Sequence, residues 1–269
     1  MEKKNEKTKI ILGLGLIVGI IVLSYIIFPS SYKQTTNPSE NLENPENLYL
    51  DSEDSEGLKI VSDIIEQETD NYIINVKYPI IEGLNNRERQ IDLNKKIRDF
   101  IEAPINDFES QIEQAEIFEE MKNGFYIDSE VTYLSKELIS IKFLVSQYNS
   151  GAAHPNNYIL TFNYHILEDK KIVIEDLFLD ESDYLKALSD IAKLILFNRF
   201  QDDIEIMQEW IERGTEPEEE NFEDFGIKES GLIIYFKPYQ VGPYAIGTQE
   251  AQISFEDLDG YINLEEIGF

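Results

Sequence analysis

The chain has 269 residues, of which 42% are hydrophobic and 12% aromatic, so it has enough apolar material for a folded core and is not globally disordered. It contains no cysteine, which excludes disulfides, thiolate catalysis and cysteine-based metal sites. The formal net charge of −30 excludes general electrostatic binding to nucleic acid. We therefore predict no nucleic-acid partner and expect the acidity to attract cations or basic proteins.

Residues 10–28 carry no charged side chain, and as a helix they would be about 28 Å long, which matches a bilayer core. The preceding stub, residues 1–9, holds four lysines and two glutamates, a net +2 that leaves −32 on the rest of the chain. The positive-inside rule then predicts a cytoplasmic stub and an extracytoplasmic C-terminal part. No A-x-A-like cleavage site follows, so we predict an uncleaved single-pass membrane anchor rather than a signal peptide.

Residues 29–57 are rich in Ser, Asn, Pro and Glu, which predicts a flexible acidic linker. A strand is predicted at 72–78, ended by Pro79, and a helix at 85–102. The apolar stripe of this helix continues past Pro104, which predicts a kink or a split into two helices. The stripe consists of Ile97, Ile101, Ile105, Phe108 and Ile112.

Further along the chain, strands cluster in hairpins, with helical runs between them. A hairpin is predicted from strands at 125–134 and 138–148, with Phe125, Ile127, Val131 and Tyr133 on one face. Two more strands are predicted at 158–167 and 171–174, then helices at 183–199, capped by Ser182, and at 204–213. Strands at 232–236 and 249–255 close the chain. Hairpins separated by helices predict an α+β fold of antiparallel sheets with packed helices, preceded by the one transmembrane helix.

Three stretches resemble a bacterial family: YNSGAAHPN (148–156), IVIEDLF (172–178) and YFKPYQVGPYAIGTQEAQISFEDL (235–258). In this order they are similar to the exported domain of unknown function shared by the anti-sigma factor RsiV and the peptidoglycan deacetylase PdaC. VKYPIIEG and the helix after it resemble the small domain that precedes this one in the family. The resemblance implies a PdaC-like domain at 58–122 and an RsiV/PdaC-like domain at 123–269.

The chain departs from the family pattern in two ways. The family commonly has Gly-Gly-Ala-His where this chain has Ala152 in place of the second glycine, and a positive φ there would strain the alanine. Neither a separate metal-dependent deacetylase domain nor a sigma-binding segment is recognisable. The resemblance therefore implies an exported binding module, which in RsiV serves as a receptor for lysozyme.

Three residues are predicted to contact a ligand: His154, Tyr239 and Tyr244. His154 lies in a Gly-Ala-Ala-His-Pro turn between two strands, and its ring either contacts a ligand or metal or bonds to nearby backbone. Segment 238–247 contains two prolines, two glycines and both tyrosines, which predicts an ordered aromatic loop. Its tyrosines either face a partner or pin the loop to the core. His165, inside a strand, is predicted to be structural.

No sequence signature of catalysis is found: no nucleophile elbow, phosphate-binding loop, dinucleotide fingerprint or zinc-binding helix. The C-terminal segment resembles a calcium loop, but Phe255 occupies the position that needs a carboxylate. We therefore predict no enzyme, no catalytic residue, no cofactor and no metal. The predicted function is a membrane-anchored extracytoplasmic binding or sensor module whose ligand is lysozyme or a peptidoglycan component. The alternatives are an envelope hydrolase that uses carboxylates, or a scaffold for another membrane protein.

Overall fold

The computed structural model describes residues 57–114 and 121–264. The predicted anchor at 10–28 and residues 29–56 of the predicted linker lie outside the described residues. Within the two described ranges, no helix is both long and apolar enough to cross a bilayer.

A six-stranded sheet forms the first layer, with its strands in chain order. They are β1 (Lys59–Glu68), β2 (Tyr72–Glu82), β3 (Asn123–Leu134), β4 (Leu138–Tyr148), β5 (Asn156–His165) and β6 (Lys170–Lys171). Neighbouring strands are antiparallel except β2 and β3, which run parallel. A parallel pair needs a crossover, and helix α1 (Arg87–Gln114) supplies it. The predicted α+β class with antiparallel sheets is therefore confirmed, with one parallel pair added.

Helix α1 covers one face of this sheet. The Asn86 side chain accepts hydrogen bonds from the backbone N–H groups of Glu88 (2.9 Å) and Arg89 (3.1 Å), which caps the first turn. The predicted apolar stripe is buried along its whole length. The helix runs unbroken through Pro104 to Gln114, so the split that proline suggested does not occur. Burial of Ile101 and Ile105 on either side of the proline holds both halves on the sheet.

Two details of the sheet differ from prediction. Pro79 lies inside β2 rather than ending it, opposite Ser62 of β1. Proline has no backbone N–H to donate to a neighbouring strand. This is tolerated at Pro79 because β3 pairs with β2 only as far as Val76, so no β3 carbonyl is left without its donor there. Tyr133 leaves the face of Val131, because a bulge between these residues shifts the register of β3 against β4. Leu134 takes its place in the α1 core, and Tyr133 packs against the second core.

The second layer contains helices α2 (Tyr184–Arg199) and α3 (Ile204–Gly214) and a three-stranded antiparallel sheet. Its strands are β7 (Phe225–Lys228), β8 (Gly231–Phe236) and β9 (Gln249–Ser254), of which β7 was not predicted. The predicted strand at 171–174 is mostly wrong, because a 3₁₀ helix begins at Ile174. The predicted cap is also wrong: the residue before α2 is Asp183, and Ser182 Oγ makes no hydrogen bond with a described residue.

A buried polar cluster joins the two layers. Ser140 Oγ donates to Asn163 Oδ1 (2.6 Å) and accepts from Thr132 Oγ1 (2.8 Å) and from the backbone N–H of Ile227 (2.9 Å). Asn163 Nδ2 in turn donates to the backbone carbonyl of Phe225 (2.8 Å). Ser140 and Asn163 are fully enclosed, and both reach the backbone of β7. The Ser140 hydroxyl thus uses its one proton and both lone pairs, which fixes β7 across β4 and β5.

The predicted boundary between the two small domains, at residues 122 and 123, falls between β2 and β3. These strands are paired in the same sheet, from Tyr72 opposite Asn123 to Val76 opposite Ile127. The division at this position stays a prediction, and the sheet is continuous across it.

Two buried tyrosines should make stability depend on alkaline pH. Tyr78 Oη donates to Asp63 Oδ2 and Tyr164 Oη to Asp169 Oδ1, each at 2.6 Å. Burial first, and the carboxylate acceptor second, raise the pKa of each tyrosine to about 12 from an ordinary value of 10.0. The unfolded chain therefore loses these protons at lower pH than the folded chain does. Their contribution to the free energy of unfolding is complete below pH 10.0 and is lost as pH rises towards about 12.

Urea unfolding at a series of alkaline pH values measures this effect. The Tyr78→Phe/Tyr164→Phe double variant should lose less stability than the parent chain over the same interval, because neither phenyl ring titrates. An equal loss in both proteins would show that these two phenols do not carry the pH dependence.

Candidate ligand-binding surface

The three residues predicted to contact a ligand lie together. His154 is in the β4–β5 loop, and Tyr239 and Tyr244 are in the β8–β9 loop. The rings of His154 and Tyr244 are stacked, with centroids 4.2 Å apart and planes inclined by 24°. The rings of Tyr239 and Tyr244 lie 5.5 Å apart at 37°. We call His154, Tyr239 and Tyr244 the aromatic cluster; Tyr239 is 58% exposed, His154 is exposed and Tyr244 is half-buried.

One carbonyl oxygen joins the two loops. Tyr244 Oη donates to the backbone oxygen of Pro155 (2.5 Å), and His154 Nδ1 lies 3.1 Å from the same oxygen. A carbonyl only accepts, so Nδ1 is the donor in this contact, and Nε2 is the ring nitrogen on the other side of the imidazole. The histidine thus bonds to backbone, as one of the two predicted alternatives had it, while its ring remains exposed.

The β8–β9 loop is held by its own backbone and by α3. Tyr239 adopts the left-handed conformation (φ 70°), between the hydrogen bonds that Lys237 and Gln240 exchange, each at 3.0 Å. Gln240 Nε2 donates to the backbone oxygens of Gly214 (3.0 Å) and Asn221 (3.1 Å). A Cβ at Gly214 would lie 2.2 Å from the Gln240 oxygen, so only glycine permits this approach at the end of α3. The tyrosines therefore stand on an ordered loop.

Acidic residues are bonded to the loop that carries Tyr239 and Tyr244. Lys237, two residues before Tyr239, contacts Glu223 Oε1 (2.5 Å) and Asp224 Oδ2 (3.3 Å). Burial raises the pKa of Asp224, and the neighbouring Lys237 opposes that rise. Residues 216–224, which contain six Asp or Glu and which we call the acidic loop, are thus linked to the β8–β9 loop by Lys237 and by the bonds of Gln240.

Three further expectations concern Ala152, His165 and metal binding. Gly151 has a positive φ of 85° and Ala152 does not, so the strain considered for Ala152 is absent. His165 is buried, and its Nδ1 accepts the backbone N–H of Glu168 (3.2 Å), which makes it structural as predicted. In the part of the chain that the structure describes, no three His, Asp or Glu side chains converge as a metal site requires.

Two family descriptions match the chain. Residues 65–157 match the family described as deacetylase PdaC, and residues 175–256 match the protein of unknown function DUF3298. The chain carries a PdaC/DUF3298-like module. The predicted resemblance to PdaC is thereby confirmed, and the aromatic cluster draws His154 from the first match and both tyrosines from the second.

The relatives of this PdaC/DUF3298-like module include a curated protein and solved structures. Peptidoglycan-N-acetylmuramic acid deacetylase PdaC of Bacillus subtilis is 28% identical over 197 residues, which cover 73% of this chain and 40% of the relative. The chain thus matches less than half the length of that enzyme. Crystal structures of DUF3298 family proteins from Bacteroides fragilis (TM-score 0.57, 16% identity, 77% of this chain and 95% of that one) and Pseudomonas aeruginosa (0.56, 15%, 78% and 95%) share the fold.

Sequence reasoning found the rings of this surface and missed its supports. Residue type and loop composition identified His154, Tyr239 and Tyr244. Gln240 and Lys237 carried no signal, because their partners are distant in sequence and only folding brings them close. Gly214 did carry one: a glycine at the end of a predicted helix, which turned out to be the place where another loop packs.

Proposed function

We propose that this chain is a membrane-anchored, extracytoplasmic binding module of the cell envelope, and that the aromatic cluster contacts a peptidoglycan glycan. One observation carries the proposal: side chains from two separate loops meet in a stacked and partly exposed group on an ordered support. Rigid exposed aromatic rings with a few polar groups around them are typical of ligand-binding surfaces. The module is proposed to bind or sense its ligand without catalysing a reaction.

The chemistry of a glycan suits this surface. A sugar ring has an apolar face of C–H groups, which packs against an aromatic ring, and hydroxyls that need hydrogen-bond partners. Tyr239 offers an exposed ring, and His154 Nε2 and the Tyr239 hydroxyl offer polar atoms. The name of the B. subtilis relative places its substrate in peptidoglycan, which supports the same class of ligand here.

A basic protein such as lysozyme is the second candidate ligand, because the negative charge of this chain attracts a positively charged protein. Outside the predicted anchor and stub the chain carries −32, and the acidic loop is bonded to Lys237 in the loop that carries both tyrosines. Such a field speeds the encounter with a cationic protein and weakens as salt rises.

Calorimetric titration of the full-length chain in detergent micelles, with soluble peptidoglycan fragments and separately with lysozyme, tests the proposal. We expect saturable binding of the fragments that persists at physiological salt. Tyr239→Ala should weaken it about tenfold, roughly the effect of losing one stacked ring. The control is Tyr126→Ala, which removes an exposed tyrosine on β3 and should leave the affinity unchanged.

The results separate the candidates. Binding of lysozyme alone, sensitive to Tyr239→Ala and stable in salt, would replace the glycan with a basic protein. Binding of either ligand that fades with salt and ignores both variants would mean general attraction to the acidic surface, and would contradict a specific site.

The anchor is tested separately. Deleting residues 1–28 should release the chain from the membrane fraction, and protease added to intact cells should cut the full-length protein beyond residue 28. Protection of that region from protease would contradict the proposed orientation.

A further inference from the structure

A cleft of about 390 Å³ lies beside β5, and the aromatic cluster does not line it. Its apolar lining includes Phe100 of α1, Leu160 of β5 and Phe225 of β7. Residues 171–174 also line it, as do four side chains of the acidic loop, Glu219, Glu220, Glu223 and Asp224. We call this the β5 groove.

Among the described residues, the edge of β5 carries no paired strand from Asn156 to Asn163 beside this groove. The short strand β6 pairs only with Tyr164 and His165, and the N–H of Ile172 bonds to the Asn163 oxygen (2.9 Å). The Asn163 backbone therefore points away from β4, and so does every second residue before it, including Thr161 and Ile159. No strand among the described residues pairs with Thr161 on this side. Its N–H and C=O are therefore available to an added strand.

The net negative charge of the groove favours a positively charged partner. Four carboxylates line it, those of Glu219, Glu220, Glu223 and Asp224, against Lys171 of the lining and Lys237, which bonds to Glu223 and Asp224. Four negative and two positive charges leave −2. Glu219 and Glu220 make no ion pair with another described residue and are exposed. An incoming segment with lysine or arginine side chains would supply the missing positive charge.

The geometry points to the β5 groove as a docking site for an extended basic peptide segment, which adds as a strand to the edge of β5. Its main chain would pair with Thr161 and Ile159, its apolar side chains would enter the lining beside Phe100, and its basic side chains would meet Glu219 and Glu220. Main-chain pairing supplies affinity in this mode, and alternate side chains supply specificity. The inference does not rest on the proposed glycan function, because the two surfaces use different residues.

The probe is a short fluorescent peptide of alternating lysine and valine, titrated by anisotropy onto the full-length chain in micelles at physiological salt. We expect Glu219→Gln/Glu220→Gln to weaken binding about tenfold. The matched control, Glu205→Gln/Glu209→Gln on α3, removes the same charge from exposed positions outside the groove and should change the affinity less than about twofold. Tyr239→Ala should bind the peptide as the parent chain does, which keeps this test separate from that of the glycan.

Two further measurements report on strand pairing itself. The same peptide with N-methylated backbone amides keeps its charge but loses its donors, and should bind at least about tenfold more weakly. Hydrogen exchange followed by mass spectrometry should slow in β5 on peptide addition and stay unchanged in β1, the opposite edge of the sheet. Equal losses in both charge-removing variants, equal binding of the methylated peptide, or no binding would overturn the inference.

Discussion

Phe108→Ala is expected to lower the free energy of unfolding by about 3–5 kcal/mol. Phe108 is fully buried where α1 crosses the six-stranded sheet. Its ring stacks on that of Phe125 of β3, with centroids 5.1 Å apart, and forms a T-shaped pair with the ring of Tyr72 of β2 at 5.8 Å. Alanine leaves a cavity between these rings, and both the transfer free energy and the packing contacts of the phenyl group are lost.

Urea denaturation of the full-length chain, followed by circular dichroism, measures this loss. Ile91→Ala is the matched control, since Ile91 lies on the same helix but is 59% exposed. This substitution should lower the free energy of unfolding by less than about 0.5 kcal/mol. Similar effects at the two positions would mean that α1 does not pack on the sheet through the Phe108 face.

Asn163→Leu is expected to lower the free energy of unfolding by about 2–4 kcal/mol, although leucine has a similar size and is more hydrophobic. The substitution removes the acceptor of the Ser140 hydroxyl and the donor to the Phe225 carbonyl, and both groups are enclosed where β7 crosses β4 and β5. A buried polar group without a partner costs about 1–3 kcal/mol, and the substitution leaves two. Hydrophobicity alone predicts the opposite sign, so the direction of the change decides between the two effects.

The same denaturation experiment applies, with Asn157→Ala on β5 as the control. Asn157 is exposed, so its substitution by alanine should lower the free energy of unfolding by less than about 0.5 kcal/mol. A stabilised Asn163→Leu variant would show that the cluster of Ser140, Asn163 and the β7 backbone does not hold the two layers together.

Local sequence patterns predicted an element correctly where the spacing of its apolar residues alone defines it. The bounds of β4 agree with the prediction at both ends, because alternation and a three-residue turn mark them. The stripe of α1 was correct because spacings of three and four place side chains on one face of any helix. The predicted helix stopped at 102 because local rules end a helix near proline, whereas burial on the sheet carries α1 to Gln114.

Prediction from local patterns failed where contacts with residues distant in the sequence determine the local conformation. A bulge, whose register is set by β4, turns Tyr133 to the other face. The strand β7 is only four residues long, and it is ordered by pairing with β8 and by the side chains of Ser140 and Asn163. The predicted strand at 171–174 pairs with β5 at its first residue and then turns into a 3₁₀ helix.

Residue patterns alone predicted the mixed α+β class, the antiparallel hairpins, the resemblance to PdaC and the choice of His154, Tyr239 and Tyr244, because composition, periodicity and motif are local properties. The folded chain was needed to show that these three side chains lie together and that Gln240 and Lys237 support the β8–β9 loop. It was also needed to show that, among the described residues, no strand covers the edge of β5 beside the carboxylates of the groove. Each of these depends on contacts between residues far apart in the chain, whose distances are set when the two layers pack.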